Sequence, residues 1–223
     1  MNRKLLLQTL IKFLLGLAVI SLLLFLPAGT IYFWNAWLLI GVLFIPMLLL
    51  GIVLWIKAPE LLAKRLNTKE KQTEQKQVVS LSLLMFVTGF IIAGLDYRFG
   101  WSPLPLWLII LAAVLLLAAY GMYAEVMREN MYLSRTIEVQ ENQQVIDTGL
   151  YGIVRHPMYT ATIILFLAMP LVLGSVPAFL IFLLYPLLVV KRIRNEEQVL
   201  EQDLPGYAQY KQKVRYRLLP FIW

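Results

Sequence analysis

The sequence holds a single histidine, His156, within the run Arg155-His156-Pro157-Met158-Tyr159. Proline suits the first turn of a helix, where its missing N–H would have had no helical partner. The backbone N–H groups of such a helix start are a ready site for a carboxylate or a phosphate. Equally, Arg155 and His156 could do no more than cap the helix and touch lipid headgroups. A second polar group comes after one apolar stretch: Lys191, Arg192 and Arg194, followed by Glu196 and Glu197. Arg192 and Glu196 have the i, i+4 spacing that pairs charges on one helical face, which is also how an ordinary charged helix end looks. Last come Tyr207, Tyr210 and Tyr216, interleaved with Lys211, Lys213, Arg215 and Arg217. Taken alone, that is an anchor at a membrane interface. With one histidine and no cysteine, multi-histidine and thiolate metal sites are excluded, as is a disulfide framework. No Gly-x-Gly-x-x-Gly run follows a strand pattern, so the soluble dinucleotide-type fold is not available.

The elements that must position these groups are membrane helices. The chain has 223 residues, of which 60% are hydrophobic and 15% charged, with a mean hydropathy of +0.73. Such values exclude disorder and point to an integral membrane protein. The net charge of +7 calls for no nucleic-acid partner, because membrane proteins gather Lys and Arg on one side. Residues 5–26, 31–56, 78–99 and 106–127 are each long enough to cross about 30 Å of hydrocarbon. Tyr32, Trp34, Trp37 and Trp55 mark the interfaces of the second span, and Pro46 should kink it. Between the second and third spans lies a basic segment, 57–77, read as a loop or surface helix meeting anionic headgroups. Residues 156–173 and 176–190 are shorter apolar runs parted by Gly174-Ser175, read as a tight helical hairpin with a re-entrant pair as the alternative.

The expectation is therefore an all-α integral membrane protein of about six transmembrane helices, the last two forming a hairpin, with a C-terminal cytoplasmic helical tail. Residues 1–127 form the scaffold of four spans and 128–223 the catalytic part. The polar connector 128–148 could hold a small hairpin or an extended lid around Gln140 to Gln143. Six crossings leave Arg98 as the one Lys or Arg on the far side, with Lys12 inside a span. That asymmetry puts both termini and the site in the cytoplasm.

Together the polar groups resemble the isoprenylcysteine carboxyl methyltransferase family and its wider relatives, the phospholipid N-methyltransferases among them. The matching pattern is Gly149-x-Tyr151, Arg155-His156-Pro157-x-Tyr159, Arg192-x-x-x-Glu196-Glu197-x-x-Leu200, Gly206-Tyr207-x-x-Tyr210 and Arg217-x-x-Pro220. It covers the C-terminal part of the chain; the earlier spans match only as hydrophobic helices. One departure is Ala161, where the family commonly has Gly.

The resemblance implies an S-adenosylmethionine-dependent methyltransferase embedded in the membrane. Carried over, Tyr151, Arg155, His156, Pro157, Tyr159, Glu196 and Glu197 would surround the cofactor, with no metal. A sulfonium cation suits carboxylates and aromatic faces, and methyl transfer needs alignment more than acid–base chemistry. Arg192 is the candidate for holding an anionic acceptor through a bidentate fork, with Arg215 second and Glu197 completing the catalytic set. The acceptor would be lipophilic, reached from the bilayer and most simply a carboxylate, with membrane lipids as the other partners. Two alternatives remain. Membrane sterol reductases look similar at the C-terminus and use NADPH, but typically carry Asn where this chain has Met158. A lipid-binding protein that has lost activity would keep the same helices.

Overall fold

The computed structural model describes residues 3–67 and 73–223. Lys69 and Lys71 of the basic segment lie outside the described residues. The described chain is all-helical, with no strand among these residues. Helices α1 (Arg3–Ala28), α2 (Trp34–Lys57), α4 (Thr73–Phe99) and α5 (Leu106–Glu129) follow the four long apolar runs. A short helix α3 (Pro59–Leu66) lies in the basic segment and buries Leu61 and Leu62. Helix α2 runs through Pro46 without interruption.

The expected hairpin is present with unequal arms. Helix α6 (Pro157–Val172) has 16 residues, about 24 Å at 1.5 Å per residue, short of the roughly 20 residues that span a bilayer. The chain then turns at Gly174, and Ser175 caps the next helix, its Oγ accepting from the Ala178 amide at 3.2 Å. Helices α7 (Val176–Phe182) and α8 (Leu184–Asp203) are parted by Leu183 alone. Pro186 accounts for the break, since its missing N–H leaves the Phe182 carbonyl without a helical donor. Among the described residues, five segments are long and apolar enough to cross a membrane: Arg3–Ala28, Trp34–Lys57, Gln75–Phe99, Leu106–Glu129 and Val176–Asp203. The last helix does not stop at the apolar boundary near Val190 but continues to Asp203, so Glu196 and Glu197 lie in mid-helix.

The main core joins α1, α2, α4, α5, α6 and α7. Its densest part is aromatic: Phe86 makes edge contacts with Phe166 and Phe182, and Phe166 with Tyr185. Gly89 lets α4 approach there, because a Cβ would stand 2.4 Å from the Phe182 ring. At the end of the bundle where α4 turns into α5, the buried carboxylate of Asp96 accepts from the Ser102 amide at 2.9 Å and from the Ser102 hydroxyl. Ser102 Oγ in turn accepts from the Val176 amide at 3.1 Å, tying that loop to the start of α7. Asn35 Nδ2 donates to the Val172 carbonyl at 3.0 Å and fixes the end of α6.

The connector 130–148 is extended loop. The turn falls at Gln140 to Gln143, where the Gln143 amide donates to the Gln140 carbonyl at 3.1 Å, but no strand ladder flanks it. Side chains hold it in place of a ladder: Gln140 Nε2 donates to the Tyr132 carbonyl at 2.6 Å and the Tyr132 hydroxyl to the Asn142 carbonyl at 3.2 Å.

Candidate functional site: a cavity between α6, α8 and the C-terminal tail

The site is assembled by the tail folding back onto the start of α6. The amides of Arg155 and His156 donate to the Tyr216 and Arg217 carbonyls, both at 2.9 Å. The amides of Tyr159 and Thr160 donate to the His156 carbonyl at 3.0 and 3.2 Å. These helix-start donors, which the sequence suggested for an external anion, are thus satisfied within the chain. Thr160 Oγ1 adds a bond to the Leu218 carbonyl at 2.8 Å.

Glu197 is the electrostatic centre of this junction. Its Oε1 accepts from Arg155 Nε at 2.8 Å and lies 3.2 Å from His156 Nε2, while Oε2 accepts from Arg217 Nε at 2.9 Å. Glu197 is 4% exposed, Arg155 and His156 5% each. Arg155 also donates through Nη1 to the Val214 and Arg215 carbonyls at 2.7 and 2.8 Å. Burying charges is tolerable only when they are paired and fully hydrogen-bonded, and this group meets that condition.

Above it lies a cavity, open to solvent, bounded by the connector, α6, α8 and helix α9 (Tyr207–Lys213). One side is polar. The Tyr159 hydroxyl donates to Glu196 and accepts from Arg192 Nε at 2.8 Å. Arg192 Nη2 reaches the Arg135 carbonyl at 2.6 Å, and Arg65 Nη1 from α3 reaches the adjacent Ser134 carbonyl at 3.1 Å. Ser134 and Thr136 hydroxyls bond to Glu138 at 3.4 and 3.2 Å. Partial burial, followed by the charges of Arg65 and Arg192, pushes the Arg135 guanidinium below its ordinary pKa, which marks a concentration of positive charge here. The other side is apolar: Leu200, Leu204, Tyr207 and Tyr210 cluster with Val145.

A short 3-10 turn (Gly149–Gly152) forms the wall between connector and α6. Gly149 has φ +52°, and a Cβ there would stand 1.7 Å from the Glu129 carboxylate. That carboxylate accepts from the Leu150 amide at 3.2 Å. Tyr151 is pinned at both ends: Asn130 Nδ2 donates to its hydroxyl at 2.9 Å, and Tyr210 donates to its carbonyl at 2.7 Å. Burial pushes the Tyr151, Tyr207 and Tyr210 phenols well above their usual pKa, so all three stay protonated.

Of the residues singled out from the sequence, Tyr151, Arg155, His156, Tyr159, Arg192 and Glu196 line the cavity. Pro157 is fully buried at the start of α6. Glu197 sits beneath, among the cations of the tail junction. Arg215 is exposed, and its backbone carbonyl, not its side chain, serves the site. Of the tail tyrosines, Tyr216 is half-buried, and Tyr207 and Tyr210 are buried in the cavity wall. Their i, i+3 spacing puts both on one helical face and was the signal available. The connector residues and Arg65 carried no comparable pattern.

Comparison with known proteins bears on the same segment. The model of the isoprenylcysteine carboxyl methyltransferase family matches residues 108–202, which run from α5 to the end of α8. A Delta(14)-sterol reductase of Mus musculus is 32% identical over 91 residues, or 40% of this chain and 22% of that protein. The chain thus spans about a fifth of the length of that relative. The segment that builds the floor of the cavity lies within the one that the family model matches, so over residues 108–202 the chain is similar to the isoprenylcysteine carboxyl methyltransferase family.

Proposed function

We propose that the protein transfers a methyl group from S-adenosylmethionine to a lipophilic acceptor, most simply a carboxylate, at the cytoplasmic face of the membrane. The family domain and the apolar helices support a methyltransferase-like function in a membrane. The observation that carries the finer reading is the Tyr159 hydroxyl, which stands between Glu196 and Arg192 in the cavity wall. One carboxylate and one guanidinium are thereby fixed side by side in the wall of the cavity.

The donor set fits the cofactor. Bound, S-adenosylmethionine would supply an electrophilic methyl group on a cationic sulfur. Glu196 offers that cation a negative charge, and Tyr159 and Tyr151 offer aromatic faces. The apolar side of the cavity, with Leu200, Leu204 and Val145, suits a flat heteroaromatic ring. Arg192 presents a charge able to orient an acceptor carboxylate. A carboxylate is already the nucleophile, so no general base is required, and the residues act by alignment and charge. Glu197, with Arg155, His156 and Arg217, holds the floor rigid.

Calorimetry of the purified protein with S-adenosylhomocysteine and with NADPH tests this reading. Binding of the first at micromolar-order affinity is expected. Heat with NADPH alone would favour the reductase reading, for which the partial match to the Delta(14)-sterol reductase is the supporting observation. Heat with neither would favour a lipid-binding role.

A further inference from the structure

The turn after Leu218 displays apolar side chains. Leu219, Phe221 and Ile222 are 47%, 88% and 77% exposed. Phe221 does so at φ +66°, a left-handed conformation that is costly for a bulky residue. Among the described residues, the other non-glycine residue at positive φ is Asn142, a type that tolerates it. Strain of this kind persists only where the surroundings over-determine it. Here it turns an aromatic ring outward, where it touches the Tyr216 ring at a centroid distance of 5.3 Å.

Water gives no reason for such a display, but the position of the turn does. Leu218 is buried in a cluster with Tyr159, Val189 and Ile193, and Trp223 packs against it alongside Ile163. Val189 belongs to the apolar run of α8 and precedes Lys191, the first charge of that helix. Ile163 lies in the second turn of α6. The turn is therefore seated where the lipid-facing surface of the hairpin begins, a surface that the exposed Leu184 and Leu187 continue. Arg215, exposed, precedes the turn and supplies a cation that suits anionic headgroups.

The backbone of the turn is closed on itself. The amides of Arg217, Leu218 and Leu219 converge on the Trp223 carbonyl at 2.8, 3.0 and 3.3 Å, and those of Ile222 and Trp223 on the Leu219 carbonyl, both at 3.2 Å. Pro220 has no N–H to satisfy. Groups paired within the chain can leave water at little cost. Irregular backbone does not enter the hydrocarbon itself, so the level is the boundary between headgroups and acyl chains.

We propose that the turn 219–222 is a membrane-interface anchor, with Leu219, Phe221 and Ile222 in contact with lipid, and that this contact holds the tail onto the start of α6. The partner is the lipid surface, and the proposal stands independently of the methyltransferase reading. Its consequence falls on the floor of the cavity. The Tyr216 and Arg217 carbonyls receive the Arg155 and His156 amides, and Arg217 joins Glu197 to the turn, its guanidinium 4.9 Å from the centre of the Trp223 ring.

The chain has no cysteine, so single cysteines can carry a nitroxide label without background. The test uses full-length protein in nanodiscs of phosphatidylcholine and phosphatidylglycerol. Labels are placed at Phe221→Cys and Ile222→Cys, with Gln212→Cys on exposed α9 as the water reference and Leu187→Cys as the lipid reference. Collision with oxygen, which concentrates in lipid, is compared with collision with a nickel chelate, which stays in water. The oxygen-to-nickel ratio at 221 and 222 is expected to stand several-fold above that at 212 and to approach that at 187. In the same nanodiscs, Phe221→Ser with Ile222→Ser should speed hydrogen exchange of the Arg155 and His156 amides by about ten-fold. Phe221→Leu with Ile222→Leu keeps the apolar surface and should leave that exchange within two-fold of wild type.

A ratio at 221 and 222 equal to that at 212 would overturn the anchor. Labels shielded from both reagents would overturn it too, since the turn would then be covered by protein. Lipid-like ratios with unchanged exchange in the serine pair would overturn the hold on the tail. Should that pair not fold, Ile222→Ser alone gives the same reading at smaller amplitude.

Discussion

Glu196 and Glu197 are adjacent on α8 and serve opposite purposes: Glu196 faces the cavity and bonds the Tyr159 hydroxyl, while Glu197 faces inward and binds Arg155 and Arg217. Successive residues on a helix point about 100° apart, so a paired-glutamate motif reaches two surfaces at once.

Glu197→Gln should act on the fold. It leaves the buried Arg155 guanidinium, 3% exposed at its side chain, without its counter-charge. Breaking a buried pair by removing one partner costs about 3–5 kcal/mol. A lower thermal midpoint in detergent and faster proteolysis of the tail beyond Val214 are expected. Arg217→Ala should cost less, since that side chain is 28% exposed. An unchanged midpoint for Glu197→Gln would mean that the junction is held by its backbone bonds alone.

Glu196→Gln should act on the ligand. The amide keeps the shape and can still accept from Tyr159, so the midpoint should hold within a few degrees. Loss of the charge should weaken S-adenosylhomocysteine or S-adenosylmethionine by about ten-fold or more, the size of a charge-assisted bond. The effect should be larger for the cationic sulfonium than for the neutral thioether. Equal effects on both ligands would show that Glu196 holds a group other than the sulfur.

The spans were legible because uninterrupted apolar runs have few other uses, and Pro157 marked the start of α6 as a helix-initiating proline does. The end of α8 was not. After Val190 the residues become charged, which marks the edge of the bilayer but not the end of a helix. Arg, Glu, Gln and Leu are good helix formers, and the stop comes at Leu204-Pro205-Gly206, where Gly206 adopts φ +87°. The cavity roof was illegible for another reason. Ser134 and Arg135 enter it through their backbone carbonyls, taken by Arg65 and Arg192, and carbonyl positions leave no mark on sequence.

Gly149→Ala should destabilise the wall of the site. The positive φ alone costs about 1–2 kcal/mol for a residue with a Cβ, and the new methyl would overlap the Glu129 carboxylate. Adding Glu129→Ala should remove the overlap but not the backbone penalty, so the double variant should regain only part of the lost midpoint. Full recovery would assign the whole effect to the overlap.

Reporter fusions test the sidedness. Fusions after Lys76 and after Trp223 should read cytoplasmic, and one after Gly100 external, as the distribution of Lys and Arg requires. A cytoplasmic reading at Gly100 would put the Asp96–Ser102 end of the bundle in the cytoplasm and the site, at the opposite end of α6, on the external side.

Arg192 has two duties to separate. Its bond to the Arg135 carbonyl holds the connector down, and its bond to Tyr159 puts its charge in the cavity wall. Arg65 provides the control, since it holds the neighbouring Ser134 carbonyl and also bonds Tyr123, yet does not line the cavity. Both Arg192→Ala and Arg65→Ala should speed amide hydrogen exchange across residues 133–137. If Arg192 also orients an acceptor carboxylate, Arg192→Ala should lower single-turnover methyl transfer by at least about ten-fold while cofactor affinity stays within a few-fold, and Arg65→Ala should not. Arg192→Lys should recover only part of the rate, because lysine keeps the charge and loses the fork. Equal losses of transfer in the alanine variants would mean that the connector, and not the Arg192 charge, sets the rate. Parallel loss of cofactor affinity in Arg192→Ala would instead assign the guanidinium to the cofactor.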